Sequence, residues 1–291
     1  MINAFLRRLK FRLLNNNPVV WYQKWLLAPK ILQAPPQSIP EVADFEIHMV
    51  TCARDFECML WAVRSFYFHS GSMAALTVHD DGTLTPWHAE TLTRLFPGSR
   101  LISRAQSDRE VGRYLARYPN CQAIRQRDLY MIKVFDLPYY TRAKRLILLD
   151  SDVLFFAKPV DLITPTAEAV FNSDIWTSYA CSTEELKARF GITVAEKINI
   201  GVGAINRDCF DLDAVENLLA DDKLRTAPYI VDQTIFAILA SQKGVRLLGP
   251  EYTISLSRGL TNVISKHYTR LVRHLFFIEG LPRLVASGIL S

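Results

Sequence analysis

The 291-residue chain has no uninterrupted apolar run approaching the roughly 18–20 residues that a membrane-spanning helix needs. Its start also lacks an apolar signal-peptide core with a small-residue cleavage site, so the sequence reads as a protein made and kept in the cytoplasm. Cysteine is sparse. The five residues Cys52, Cys58, Cys121, Cys181 and Cys209 are scattered, with no CxxC pair, which excludes a zinc ribbon and a disulfide scaffold and leaves reduced core thiols. No repeat or low-complexity segment is present, and 49% hydrophobic with 22% charged residues excludes disorder.

Acidic residues are missing altogether from residues 1–40, which carry Arg7, Arg8, Lys10, Arg12, Lys24 and Lys30. The chain's net charge of +5 therefore belongs to this arm, and residues 41–291 sum to −1. A folded domain without a basic stripe argues against nucleic acid as a partner. Within the arm, Ile2, Phe5, Leu6, Leu9 and Leu13 recur at helical spacing among the basic residues. That pattern fits a helix lying on an anionic membrane, giving peripheral contact at the inner face, and equally a helix docked on the domain.

Pro35, Pro36 and Pro40 mark a boundary, dividing a basic amphipathic N-terminal arm, 1–40, from a single α/β domain, 41–291. Beyond it strand and helix patterns alternate. Strands are expected at 45–51, 74–79, 100–103, 145–149, 174–179, 202–205 and 245–248, and helices at 55–68, 85–96, 107–117, 122–137, 182–190, 211–219 and 231–241. The run Arg145–Leu149 is nearly all apolar, as suits a central parallel strand covered on both faces, and Asp150-Ser151-Asp152 follows at its carboxyl end. Ligands of open α/β sheets bind at such ends. Two carboxylates spaced i, i+2 can share one hard cation if the chain turns between them, although the same pair also occurs in ordinary turns.

The run RLILLDSDVLFFAKPVDL, preceded by LYMIKVFDLPYY, resembles the nucleotide-sugar core of GT-A glycosyltransferases, most closely glycosyltransferase family 8. The similarity spans roughly residues 45–275. It implies a GT-A, Rossmann-like mixed sheet flanked by helices. It also implies an enzyme that moves a sugar from a nucleotide-diphosphate donor, with UDP-sugar the expected form, to a glycan, lipid-linked or other hydroxyl acceptor with retention.

Further segments follow in the family's order. Lys266-His267-Tyr268 resembles the closing H-Y motif, so His267 would join Asp150 and Asp152 on Mn²⁺ or Mg²⁺. Asn199-Ile200-Gly201-Val202 resembles the N-A-G-V segment, whose Asn and Gly line the sugar pocket. Asp232-Gln233 matches the DQ pair beside the anomeric carbon, and these two are the candidate catalytic residues. Lys133 and Arg273 fall where the family places basic residues on the donor, Arg273 replacing the usual lysine. Thr51, Cys52 and Ala53 at the first strand end, Asp80 and Asp81 at the second, and Ser151 complete the donor side.

Each residue also has a plainer reading: Lys133 snorkelling to solvent, His267 structural, Asp232-Gln233 a polar helix start. Two rivals remain. A sugar-phosphate nucleotidyltransferase generally needs a glycine-rich loop after its first strand, and residues 51–60 contain no glycine. A catalytically silent binding protein of the same fold is the other.

Overall fold

The computed structural model describes residues 13–15, 17–71, 74–164, 166–228 and 230–291. Helix α1 (Pro18–Leu27) starts at Asn17, whose side chain accepts the Val19 amide, with Pro18 in the first turn where its missing N–H is no loss. Val20, Leu27, Ala28 and Ile31 are buried, and the fully buried Trp61 donates its indole N–H to the Ala28 carbonyl at 2.9 Å. Arg64 holds the Pro35 carbonyl at 3.0 Å, while the Gln37 and Ile39 amides donate to Leu95 and Pro97. Residues 18–39 are thereby fastened to the sheet domain. The stripe Ile2, Phe5, Leu6 and Leu9 lies outside the described residues, and Leu13 is exposed.

The strands β1 (Phe45–Thr51), β2 (Ala75–Asp80), β3 (Arg100–Ile102) and β4 (Arg145–Leu149) pair in parallel. β7 (Ile198–Asn206) runs antiparallel between β4 and β6 (Ala169–Ser173), and β8 (Val245–Leu247) pairs in parallel with β6. The order is β3-β2-β1-β4-β7-β6-β8, the mixed α/β sheet expected for a GT-A fold. The chain turns outward from β1 in one direction and returns at β4 on the other side, so the switch point lies between their carboxyl ends. A second sheet, β5-β10-β9, joins β5 (Val153–Phe155), β10 (Ser265–His267) and β9 (Tyr252–Thr253).

Helices α2 (Phe56–Ser70), α3 (Pro86–Leu95), α4 (Arg104–Tyr114), α5 (Pro119–Arg127), α6 (Ile132–Tyr140), α7 (Thr183–Phe190), α8 (Leu212–Leu219) and α9 (Val231–Lys243) connect the strands. On β4, Ile147 and Leu149 enter one core with α1, α2 and the second sheet, while Leu146 and Leu148 enter another with α5, α6 and α9. This alternation explains the all-apolar run.

Three expectations change. The segment 174–179 is not a strand; the strand lies just upstream at Ala169–Ser173, where Ala169, Val170 and Phe171 are buried. The helix expected over 122–137 is two, because the Asp128 side chain caps a new turn at the Tyr130 amide. The expected end at residue 137 is also passed: α6 runs through Pro138 to Tyr140. Among the described residues no helix is long and apolar enough to cross a membrane.

Candidate functional site

Asp150 leaves the carboxyl end of β4 with its amide bonded to the Gly201 carbonyl at 2.8 Å. The chain then turns, the Val153 amide donating to Asp150, so that Asp150 and Asp152 face the same side. Ser151 points back to β1, its hydroxyl 3.3 Å from that of Thr51. Pairing of β5 with β10 sets His267 opposite Val153, and the Tyr268 amide donates to the Asp152 carbonyl at 2.8 Å. The outcome is that ligand atoms of Asp150, Asp152 and His267 all lie within 4.8 Å of one another.

His267 Nε2 stands 3.1 Å from Asp152 and 3.9 Å from Asp150. Neighbouring ligands of an octahedral cation lie about 3 Å apart, so two hard oxygens and one imidazole at this spacing suit Mn²⁺ or Mg²⁺. Burial disfavours the charged forms of both His267 and Asp152, yet their mutual attraction prevails. His267 is shifted up by Asp152 and Asp150, and Asp152 is held down at about 2 by His267 and Arg273.

Two cations flank the carboxylates. Lys133 reaches from α6 to Asp150 at 2.6 Å, and Arg273 binds Asp152 at 2.6 Å and Asp55 at 3.1 Å. Burial works against the charge of each, but the adjacent aspartates outweigh it and raise both pKa values. Arg273 lies 5.9 Å from the Phe276 ring centroid, a placement that supports its plane. Asp55, unremarked in the sequence, thus belongs to the cluster; it ends the turn Ala53–Asp55 immediately before α2.

A further layer holds His267. Gly201 sits in a bulge of β7, where Gly203 pairs with Phe171 but Asn199 pairs with the next residue, Asn172. The bulge turns Ile198 and Ile200 to one core and Val202 and Ala204 to the other. A Cβ on Gly201 would stand 2.2 Å from His267 Cε1, so glycine leaves the space that the imidazole fills. The Asn199 carbonyl oxygen accepts the Gly201 amide at 2.9 Å and lies 3.1 Å from His267 Nδ1, while its amide donates to Asp174 at 2.9 Å. Asp174 had no sequence signal, since its segment resembled a strand.

Asp232 and Gln233 open α9 after Ile230, a β-branched residue held at a left-handed φ of 62°. The Ile230 carbonyl accepts the Thr234 amide and hydroxyl, and that hydroxyl accepts the Ala180 amide at 2.8 Å. Burial pushes the Asp232 carboxyl up to about 6, with Lys133 opposing. Gln233 donates to the Ser178 carbonyl at 2.8 Å.

On the far side, one Asp80 oxygen accepts the amides of Gly82, Thr83 and Leu84, and Asp81 accepts Thr83, so both carboxylates hold their own loop. The loop is tied to β1 by the Asp81 amide on the Thr51 carbonyl and the Ala53 amide on the Thr83 hydroxyl at 2.8 Å. Cys52 is half-buried beside it.

No family model matches the sequence, and no curated protein does either. The fold does have solved counterparts. The galactosyltransferase LgtC, in complex with donor and acceptor sugar analogs, superposes with a TM-score of 0.54 at 16% identity, over 83% of this chain and 95% of that one. The bifunctional glycosyltransferase WbbM matches at 0.50 and 13% identity, over 84% of this chain and 49% of its own length. The mannosyltransferase Ktr4p of S. cerevisiae matches at 0.50 and 10% identity, over 80% and 78%. The architecture of this chain is accordingly the GT-A fold of glycosyltransferases.

Proposed function

We propose that the protein is a metal-dependent glycosyltransferase that takes a sugar from a nucleotide-diphosphate donor, a UDP-sugar in the first instance, and passes it with retention to a glycan or lipid-linked hydroxyl. The observation that carries this reading is the cluster of Asp150, Asp152 and His267 at the switch point, flanked by Lys133 and Arg273. A divalent cation held by the three would supply neutralising charge to a departing diphosphate. Arg273 and Lys133 offer N–H donors to the same oxygens, Arg273 through its planar fork. Asp55 and the Phe276 ring orient that fork.

Thr51, Cys52 and Ala53 would meet the nucleotide through backbone groups, beside the loop closed by Asp80 and Asp81. Asp232, set in the same charged neighbourhood as Lys133, would stabilise positive charge developing at the anomeric carbon, with Gln233 fixing the helix start next to it. Leaving-group oxygens on the acceptor's face would accept the hydroxyl proton, so no separate strong base is needed.

Hydrolysis of a panel of nucleotide sugars, with Mn²⁺ and with excess chelator, tests the proposal without knowledge of the acceptor. Turnover that requires the cation and disappears in Asp152→Asn is expected. Full turnover after exhaustive chelation would sink it, and silence toward every donor in the presence of Mn²⁺ would favour a binding protein of the same fold.

A further inference from the structure

Helix α1 is apolar on two sides. Its inner stripe, Val20 and Leu27, packs on the domain. At 100° per residue, Trp21, Trp25, Pro18, Tyr22, Leu26 and Val19 follow one another around an arc of about 160° on the outside, with no polar side chain among them. All six are exposed, the two tryptophans at 66% and 65%. The helix's polar residues, Gln23 and Lys24, fall beside the inner stripe instead of on the outer face. Single exposed apolar residues are ordinary on protein surfaces, but a contiguous arc with two tryptophans and a tyrosine is a surface that awaits a partner.

Chemistry selects the partner. Residues 1–40 hold six bases and no acid, a charge that attracts an anionic surface and repels a second copy of itself. Tryptophan and tyrosine are the side chains that settle at the headgroup level of a bilayer, where an apolar ring and a polar edge are both satisfied. α1 is also rigidly placed: Trp61 holds the Ala28 carbonyl, and Lys24 lies 5.5 Å from the Phe277 ring centroid. Phe277 adjoins Phe276, which underlies Arg273 and so reaches the Asp152 cluster.

From this arrangement we infer that the outer face of α1 is a docking surface for an anionic lipid bilayer, inserting Trp21, Tyr22 and Trp25 at headgroup depth and holding the switch-point cluster close to the membrane surface. The inference stands apart from the glycosyltransferase reading, and its test reads no turnover.

The full chain is mixed with vesicles of phosphatidylcholine alone, or with added phosphatidylglycerol, and compared with a Trp21→Ser/Trp25→Ser double variant. Binding to the anionic vesicles is expected, weakening with salt and dropping about tenfold in the double variant, whose melting curve stays close to that of the wild type. Tryptophan emission of the unmodified chain should shift to the blue on binding and be quenched by lipids brominated near the headgroup, a readout that needs no variant. Absence of vesicle binding at low salt, binding without quenching, or equal binding by the double variant would each overturn the inference. Self-association in sedimentation velocity that the double substitution abolishes would instead assign the face to a second copy.

Discussion

The side-chain amide of Asn199 is used at both ends, and this settles the state of a histidine. Asp174 can only accept, so the NH₂ group faces it; the carbonyl oxygen then faces the Gly201 N–H and His267 Nδ1. An oxygen opposite Nδ1 requires Nδ1 to carry the proton whenever the ring is neutral, leaving the Nε2 lone pair toward the aspartates. Asp174→Ala should therefore lower Mn²⁺ affinity, measured by calorimetry, by about 10–100-fold with the fold intact, and Asp174→Asn should restore much of it. Unchanged affinity in the alanine variant would show that Asn199 holds its orientation unaided.

Gly201→Ala tests the same histidine from the other side. The added methyl must displace the ring, so cation binding should fall while the strand persists. For the donor, Arg273→Ala and Lys133→Ala should each weaken nucleoside-diphosphate binding by tenfold or more, since a hydrogen bond to a charged group contributes about 1.5–3 kcal/mol. If calorimetry shows both variants binding as the wild type does, these cations belong to the aspartates alone.

Among the elements, β4 was legible because a strand covered on both faces needs apolar residues at every position, and Arg145–Leu149 supplies them. The helix expected from residue 182 likewise forms as α7, opened by a capping box of Ser182 and Glu185. β5 and β10 were not, because they form the small second sheet, in which Val153–Phe155 pairs with residues more than a hundred positions away and no local periodicity records that pairing. His267 could be singled out only through family resemblance, for the same reason. The error at 174–179 arose from aromatic and β-branched composition, whereas the chain uses Tyr179 as a bridge, its hydroxyl donating to the Ala195 carbonyl and accepting the Ile198 amide.

β1, β2 and β3 also share a buried polar network that hydropathy could not suggest. Glu46 accepts from Arg100, Thr77, Thr141 and the Arg142 amide, and His48 Nδ1 meets His79 Nε2 at 3.0 Å. Burial opposes the Glu46 charge, but His48, 3.7 Å away, together with Thr77 and the Arg142 amide holds its pKa well below the ordinary 4.5. Burial lowers both histidines from the ordinary 6.5 despite the help Glu46 gives them.

All three groups bind protons more readily unfolded than folded, so stability should fall as pH drops below 6.5 and more steeply below 4.5. Glu46→Gln should cost roughly 2–4 kcal/mol at neutral pH by leaving Arg100 short of its partner. The gap between variant and wild type should close in acid, where the wild-type carboxylate loses its advantage; denaturant melts at a series of pH values measure both. A gap that stays constant down to pH 3 would mean the charge of Glu46 is not what stabilises the base of the sheet.

At the level of the whole molecule, the strand and helix alternation and the position of Asp150 and Asp152 at a strand's carboxyl end could be read in advance, because both follow from patterning within single segments, whereas the switch point follows from the strand order. The meeting of segments could not. Asp55 and Arg273 lie far apart in sequence, as do Asp174, Asn199 and His267, and only the closed fold brings them together.

The sheet separates two apolar cores, and the cluster straddles their seam. Asp152, His267 and Arg273 ride on elements anchored in the core shared by α1, α2 and the second sheet, whereas Lys133 and Asp232 ride on α6 and α9 in the other. Local opening of one core need not disrupt the other, so the two halves are expected to differ in their rates of amide hydrogen exchange. A molecule gripped by Arg273 on one side and Lys133 on the other becomes a clasp between them. Exchange mapped by mass spectrometry should slow in β10 and in α6 and α9 together when a nucleoside diphosphate and Mn²⁺ are added, although these segments share no core. Slowing confined to one half would mean that the ligand rests on a single core and leaves the seam free to breathe.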